Sequence, residues 1–158
     1  MRRVELKDKV IIVTGASRGI GAAIAARATA QGARVVLASR KIESLQSVEN
    51  QLTEAGGQAA SCACHTGKPE DIEALLAFAV DRFGKVDGLV NNAATNPHFG
   101  PFVDVSWPAW DKTFEVNVKG YFHAARTLVE HLRSRQAPGS IVNVSSILGL
   151  RGGRMQGV

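Results

Sequence analysis

The sequence predicts an α/β domain built on a doubly wound parallel sheet. Three observations carry that expectation. Short apolar runs rich in β-branched residues alternate with longer stretches of helical periodicity through the 158 residues. A glycine-rich turn, Thr14-Gly15-Ala16-Ser17-Arg18-Gly19-Ile20-Gly21, separates the first such run from the first helical stretch. The composition, 45% hydrophobic and 21% charged, suits one globular domain with an ordinary core and excludes a disordered or fibrous chain.

The elements follow in order. Lys9 to Thr14 is a β-branched run closed by Gly15, as in a strand buried on both faces. Gly19 to Gln31 is Ala-rich, with Ile20, Ala23, Ile24 and Ala28 at helical spacing and Gly32 as terminator. Arg34 to Ser39 is a second buried strand, and Ile42 to Ala55 a helix with Leu45, Val48 and Leu52 on one face. Gln58 to Cys64 gives a third strand. Pro69 to Phe83 reads as a helix with proline in its first turn and Gly84 behind it. Val86 to Val90 is a fourth strand, and the turn-rich segment from Asn92 to Pro101 a loop at the carboxyl edge of the sheet. Ser106 caps a helix starting near Pro108 and ending about Asn117; a separate helix covers Val118 to Arg135, and a fifth strand Ser140 to Ser145.

Charge and composition narrow the function classes. Nineteen Lys and Arg against fourteen Asp and Glu give a net +5, but apart from Arg2-Arg3 and the Arg151 to Arg154 end the basic residues are scattered. With one tyrosine besides, this predicts no nucleic-acid surface, and a phosphate-bearing small molecule fits better. No apolar run approaches the roughly 20 residues that span a bilayer. The first ten residues lack the pattern of a secretory signal. A soluble, cytoplasmic protein with no membrane partner is expected. Cys62 and Cys64 read as reduced, buried thiols, and the four histidines form no ligand set, so no metal is expected.

The glycine turn carries the chemistry. Between a strand and a helix, Gly15 permits a sharp turn, Gly19 lets backbone approach a pyrophosphate, and Gly21 lets the helix sit close; the helix amino end adds free N–H groups and partial positive charge. Ser17, Arg18 and Ile20 lie in the same turn. A dinucleotide is the expected ligand.

The spacing, T-G-x-x-x-G-x-G, joins Asn91-Asn92-Ala93-Ala94 after the fourth strand and Asn143-Val144-Ser145-Ser146-Ile147-Leu148-Gly149 after the fifth. With these three ordered motifs the chain resembles the short-chain dehydrogenase/reductases, whose domain is a Rossmann fold. Within that family Cys64-His65-Thr66-Gly67-Lys68 and the loop from Asn92 to Gly100 look like the carbonyl and retinal reductase branch. Ala94 departs from the glycine more usual at its position. The resemblance covers the whole chain and implies a single dinucleotide-binding domain over 1–158, incomplete at its carboxyl end after about five strands.

The resemblance implies a nicotinamide cofactor. The acid that binds a ribose 2′-hydroxyl in NAD enzymes is expected at the end of the second strand. Ser39 and Arg40 stand there instead, and Arg40 with Arg18 suits a 2′-phosphate, so NADP(H) is preferred and NAD(H) remains possible. His65 and Thr66 fall at the adenine side; His65 takes the place of an aspartate that faces the adenine amine in many relatives, and either accepts that bond or simply packs. Asn92, Ala93 and Ala94 complete the expected cofactor-binding set.

Two catalytic positions are implied in the same way. Ser146 matches the serine that polarises a substrate carbonyl, its bland alternative being a serine that caps a turn, and Asn117 matches an asparagine that helps hold a relay water. The family's proton donor, a tyrosine four residues before a lysine, would fall one position beyond Val158. The single tyrosine, Tyr121, has no lysine four residues on. The implied function is reduction of a ketone or aldehyde, or oxidation of the alcohol, by an NADP(H)-dependent short-chain oxidoreductase, with this chain catalytically incomplete. The alternative is a non-catalytic nucleotide-binding fragment or subunit. Trp107 and Trp110 pack or line the substrate mouth. The family also implies a homo-oligomer, dimer or tetramer, paired through the helix over Val118 to Arg135.

Overall fold

The structure is a computed structural model that describes residues 6–151 and residue 155. Arg2-Arg3, and Gly152 to Arg154 of the basic end, lie outside the described residues. Five parallel strands, β1 (Val10–Thr14), β2 (Arg34–Ser39), β3 (Gln58–Ala63), β4 (Gly88–Asn91) and β5 (Ser140–Asn143), form one sheet in the order β3-β2-β1-β4-β5. From β1 the chain first builds outward through β2 to β3, then returns to add β4 on the other side. That reversal opens a crevice at the carboxyl ends of β1 and β4, the place where doubly wound sheets bind ligands.

Alternation along the strands explains why helices cover both faces. Val10, Ile12, Val36 and Ala38 point to one side, where α3 (Pro69–Phe83) supplies Ile72, Leu75 and Ala79, and α5 (Gly120–Ser134) supplies Ala124, Leu128 and Leu132. Val13, Val35 and Leu37 point to the other, against Ala25 and Ala28 of α1 (Gly19–Ala30) and Leu45 and Leu52 of α2 (Glu43–Glu54). Val10, Val13, Val35, Val36 and Leu37 are fully buried, each contributing about 1.5–3 kcal/mol. Cys62 and Cys64, two residues apart, meet the same core on the α3 side; both are free thiols, Cys64 buried and Cys62 only partly so. The outer strand β5 is exposed throughout.

Strand and helix boundaries differ from expectation by one or two residues, with one larger difference. The expected break between helices at Asn117 and Val118 does not occur. Helix α4 (Trp107–Phe114), capped by Ser106 Oγ accepting from Ala109 N–H at 3.3 Å, runs through a π-helical turn at Glu115–Lys119 straight into α5. Phe114, Glu115 and Gly120 keep helical backbone angles across the junction, so the surplus residue is taken up inside the helix. Asn117 directs its amide to another segment instead of ending the helix. The fifth strand also stops early, at Asn143, and the last bond of its ladder with β4 runs from Val144 N–H to Asn91 C=O at 2.8 Å.

Candidate dinucleotide cleft

The crevice contains a cleft of about 390 Å³. Of the thirteen expected cofactor-binding residues, all but Gly21 line it; Gly21 is buried behind the turn. Three segments meet there: the β1–α1 turn, the ends of β2 and β3, and the loop after β4.

The turn is shaped by its glycines. Gly15 lies at φ +66°, and a Cβ on it would stand 2.9 Å from Ala93 Cα and from Asn92 Nδ2, so no other residue fits between the two loops. Gly19, at φ +57°, faces open space, whereas a Cβ on Gly21 would collide with Gly15 O. Helix α1 begins at extended Arg18 with no side-chain cap and no acid in its first turn. Its amino end is therefore left for an external anion, and the open cradle at Gly19 fits a pyrophosphate.

A hydroxyl and an amide lock the turn to the β4 loop. Thr14, 1% exposed, accepts at Oγ1 from Asn92 N–H (3.0 Å) and Ala93 N–H (3.1 Å) and donates to Val90 C=O (3.2 Å). Asn92 Nδ2 donates to Thr14 C=O at 3.0 Å and Gly15 C=O at 3.2 Å. Asn91, equally buried, donates from Nδ2 to Tyr121 C=O (3.3 Å) and Asn143 Oδ1 (2.9 Å), joining β4 to α5 and β5.

The ends of β2 and β3 form the other wall. Ser39 Oγ donates to Lys41 C=O at 3.2 Å in the tight turn before α2. Arg18 and Arg40 are exposed, and among the described residues neither guanidinium has an ion-pair partner. His65 is fixed at its backbone, where its N–H donates to Asp71 Oδ2 at 2.8 Å. Cys64 also lines the cleft, but burial first and Asp71 second push its thiol up to about 12, so it stays protonated and inert.

The two implied catalytic residues stand outside this cleft. Asn117 sits in the π-helical turn, its Nδ2 donating to Thr95 C=O (2.8 Å) and its Oδ1 accepting Thr95 N–H (2.9 Å), so it clamps the loop that walls the cleft. Ser146 is exposed; its Oγ accepts from Leu148 N–H at 3.2 Å and caps the 3-10 turn Ile147–Gly149. Tyr121 is half-buried, with its hydroxyl donating to Val144 C=O at 3.4 Å and its pKa raised by burial. It does not line the cleft. The loop after β4 and the segment after β5 meet where Gly100 N–H donates to Met155 C=O at 2.9 Å. Nearby, Trp110 stacks on Phe114 with ring centroids 4.8 Å apart, and Trp107 is 78% exposed beside an apolar hollow shared with Phe102 and Val103.

Sequence reasoning assigns no role to four residues here. Asn91 and Asn143 are polar residues ending apolar runs, a signal available in the sequence. Thr95 and Lys112 are not marked by any spacing, because their positions depend on how α4 crosses the loop. Lys112 reaches the cleft, its Nζ 3.0 Å from His65 Nε2 and 2.9 Å from Glu115 Oε1. That hydrogen bond outweighs the slight desolvation and holds the Glu115 carboxyl below its usual range. No group of three or more His, Cys, Asp or Glu that could hold a metal occurs among the described residues, and no described helix is long and apolar enough to cross a membrane.

Comparison with known proteins agrees with this geometry. "Dehydrogenase/reductase SDR family member 4" of Homo sapiens is 43% identical over 146 residues, 92% of this chain and 52% of that protein. "Uncharacterized oxidoreductase YxnA" of Bacillus subtilis is 39% identical over 148 residues, covering 94% and 41%. The chain thus spans about half the length of the curated relatives it matches. Among solved structures, a metagenomic short-chain oxidoreductase in complex with NADP superposes with a TM-score of 0.90 at 36% identity, covering 98% of this chain and 69% of that one. A short chain dehydrogenase/reductase from Burkholderia phymatum in complex with NAD gives 0.93 at 30% identity, with coverages of 98% and 55%. The family model for short chain dehydrogenases matches residues 9–158, so a Rossmann-type sheet, a glycine-cradled helix end and sequence similarity agree, and the chain belongs to the short-chain dehydrogenase family.

Proposed function

We propose that this chain forms the cofactor-binding part of an NADP(H)-dependent oxidoreductase that reduces a ketone or aldehyde, or oxidises the corresponding alcohol. The observation that carries the reading is the uncapped amino end of α1 above the open Gly19 cradle, flanked by the guanidiniums of Arg18 and Arg40, which have no ion-pair partner among the described residues. Main-chain N–H groups there hold a pyrophosphate, and the two arginines take a 2′-phosphate by charge-assisted hydrogen bonds. A reduced nicotinamide dinucleotide, when bound, supplies hydride to a carbonyl carbon.

The remaining roles belong to this chain's own side chains. Ser146 orients the carbonyl oxygen by donating its O–H, while its oxygen goes on accepting from Leu148 N–H. Asn117 acts on the loop at Thr95 and keeps the cleft wall in register. The proton for the reduced oxygen has no donor in Tyr121, whose hydroxyl is spent on Val144 C=O. Val118 in the π-helical turn and Phe122 and Val129 on α5 are exposed, which supports pairing of two copies through this helical segment in a homo-oligomer.

Titration of NADPH and NADH by fluorescence tests the cofactor assignment. NADPH is expected to bind at least about tenfold tighter than NADH, roughly 1.4 kcal/mol, and equal affinity would remove the role given to the arginines.

A further inference from the structure

The end of β2 carries a hydroxyl whose hydrogen is loosely held. Ser39 closes the strand with its backbone fixed, since its C=O accepts from Cys64 N–H at 2.9 Å, and it lines the cleft. Its Oγ stands 3.2 Å from Lys41 C=O and 3.4 Å from Ser44 Oγ, both long for a hydroxyl donor. Ser44, in the first turn of α2, donates to the same Lys41 C=O at 2.7 Å. The N–H groups of Leu45 and Gln46 both go to Ile42 C=O, at 2.9 and 3.2 Å. Among the described residues the Lys41 carbonyl is therefore served by the two serine hydroxyls alone, and the short bond is the one from Ser44.

What this arrangement does follows from counting hydrogens. A serine hydroxyl has one hydrogen and two lone pairs. A ribose 2′-hydroxyl can donate, so Ser39 can accept from it and keep its own hydrogen on Lys41 C=O. A 2′-phosphate dianion has only acceptors, so Ser39 meets it favourably only by turning that hydrogen away from Lys41. Ser44 covers the carbonyl when Ser39 leaves it.

The ribose-reading position of a doubly wound sheet lies at the end of this strand. Ser44 does not line the cleft, so its action there is indirect. We propose that Ser44 is a positioning residue for NADP(H): it keeps the turn from Ser39 to Ile42 closed at Lys41 C=O and so releases the Ser39 hydrogen for the 2′-phosphate. The proposal rests on the cofactor reading above and adds to it the residue that sets how strongly Ser39 favours a phosphate over a hydroxyl.

The test is a fluorescence titration with NADPH and NADH of the parent chain, Ser44→Ala and Ser44→Thr, at about pH 8, above the second phosphate pKa of about 6. Ser44→Ala should lower NADPH affinity about two- to fivefold and leave NADH affinity unchanged. The effect lies near the low end for a hydrogen bond because Ser44 is exposed and water takes part of its place. Ser44→Thr keeps the hydroxyl and should keep the parent ratio, whereas a turn merely loosened would weaken both dinucleotides alike. In a Ser39→Ala background, Ser44→Ala should leave the ratio unmoved, since no hydrogen remains to be released. A ratio that falls by less than about twofold, NADH weakened in step with NADPH, Ser44→Thr no better than Ser44→Ala, or an effect that persists without Ser39 overturns the proposal. A parent that prefers NADPH with a ratio indifferent to Ser44→Ala leaves the cofactor reading standing and removes only the role of Ser44; a parent that binds neither dinucleotide, or both equally, removes both.

Discussion

Replacing Thr14 by valine keeps the shape of a fully buried side chain and deletes only its hydroxyl. Three hydrogen bonds go with it: the two accepted from Asn92 and Ala93 N–H and the one donated to Val90 C=O. No cavity is made, so the cost is that of polar groups left without partners. Asn92 and Ala93 are only partly buried and water can reach them in part, which puts each loss near the low end of the usual range, for a total of about 2–3 kcal/mol. For a domain of this size that is a fall in Tm of about 4–12 °C. Thr14→Ser keeps the hydroxyl and loses a methyl, about 1 kcal/mol. Thermal unfolding followed by circular dichroism compares the three proteins. If Thr14→Val unfolds within a degree of the parent, or no earlier than Thr14→Ser, the Thr14 hydroxyl does not fasten the two loops, and the geometry assigned to the cleft is wrong.

Arg40→Asp should shrink or invert the preference for NADPH, since it replaces a guanidinium with an acid suited to a ribose hydroxyl; unchanged affinities for both dinucleotides would contradict the assignment. In any form of the protein that turns over a carbonyl substrate, Ser146→Ala should lower kcat by on the order of a hundredfold with NADPH affinity unchanged, while Ser145→Ala does much less. If the two exchange effects, the register after β5 is off by one. Stability should also depend on pH at the opposite end of the sheet. Burial and Arg135 depress the pKa of His131, whose neutral ring accepts Val86 N–H at 3.1 Å, so its contribution is complete above the ordinary value of 6.5 and is lost as pH falls through the depressed folded value. Burial opposes the ionisation of Asp87, but hydrogen bonds from Lys85, Val10 N–H and Arg135 outweigh it, so its contribution is complete above 3.8 and is lost further into acid. Urea unfolding at pH 7, 5.5 and 4 should show the parent weakening from pH 7 to pH 5.5, and His131→Gln should flatten that first step.

The strands were legible because their apolar runs are continuous and a parallel sheet buries both faces: Val10 to Val13 and Val35 to Leu37 admit no other reading. The glycine turn was legible because Gly15 and Gly19 need positive φ and Gly21 lies against a carbonyl, constraints that only glycine satisfies. The helix after Trp107 was misdivided for a physical reason. Asn117 has the composition of a helix breaker, but its amide is satisfied by Thr95 across the loop, and a partner 22 residues away leaves no local periodic trace. Lys112 escaped for the same reason, since its reach to His65 spans 47 residues and depends on how α4 lies over the end of β3. For Ser146 the sequence offered a catalytic hydroxyl and a turn cap; the cap is present and uses only the oxygen as acceptor, which leaves the O–H free to donate.

Amide chemical-shift mapping of the isotope-labelled chain during titration with NADP⁺ tests the central claim most directly. Saturable shifts should be largest at the amides from Gly15 to Gly21, at Arg40, and from Asn92 to Thr95, the segments brought together at the carboxyl ends of β1, β2 and β4. Shifts confined to other surfaces, such as the exposed side of α5 or the hollow beside Trp107, or no saturable change at all, would contradict it.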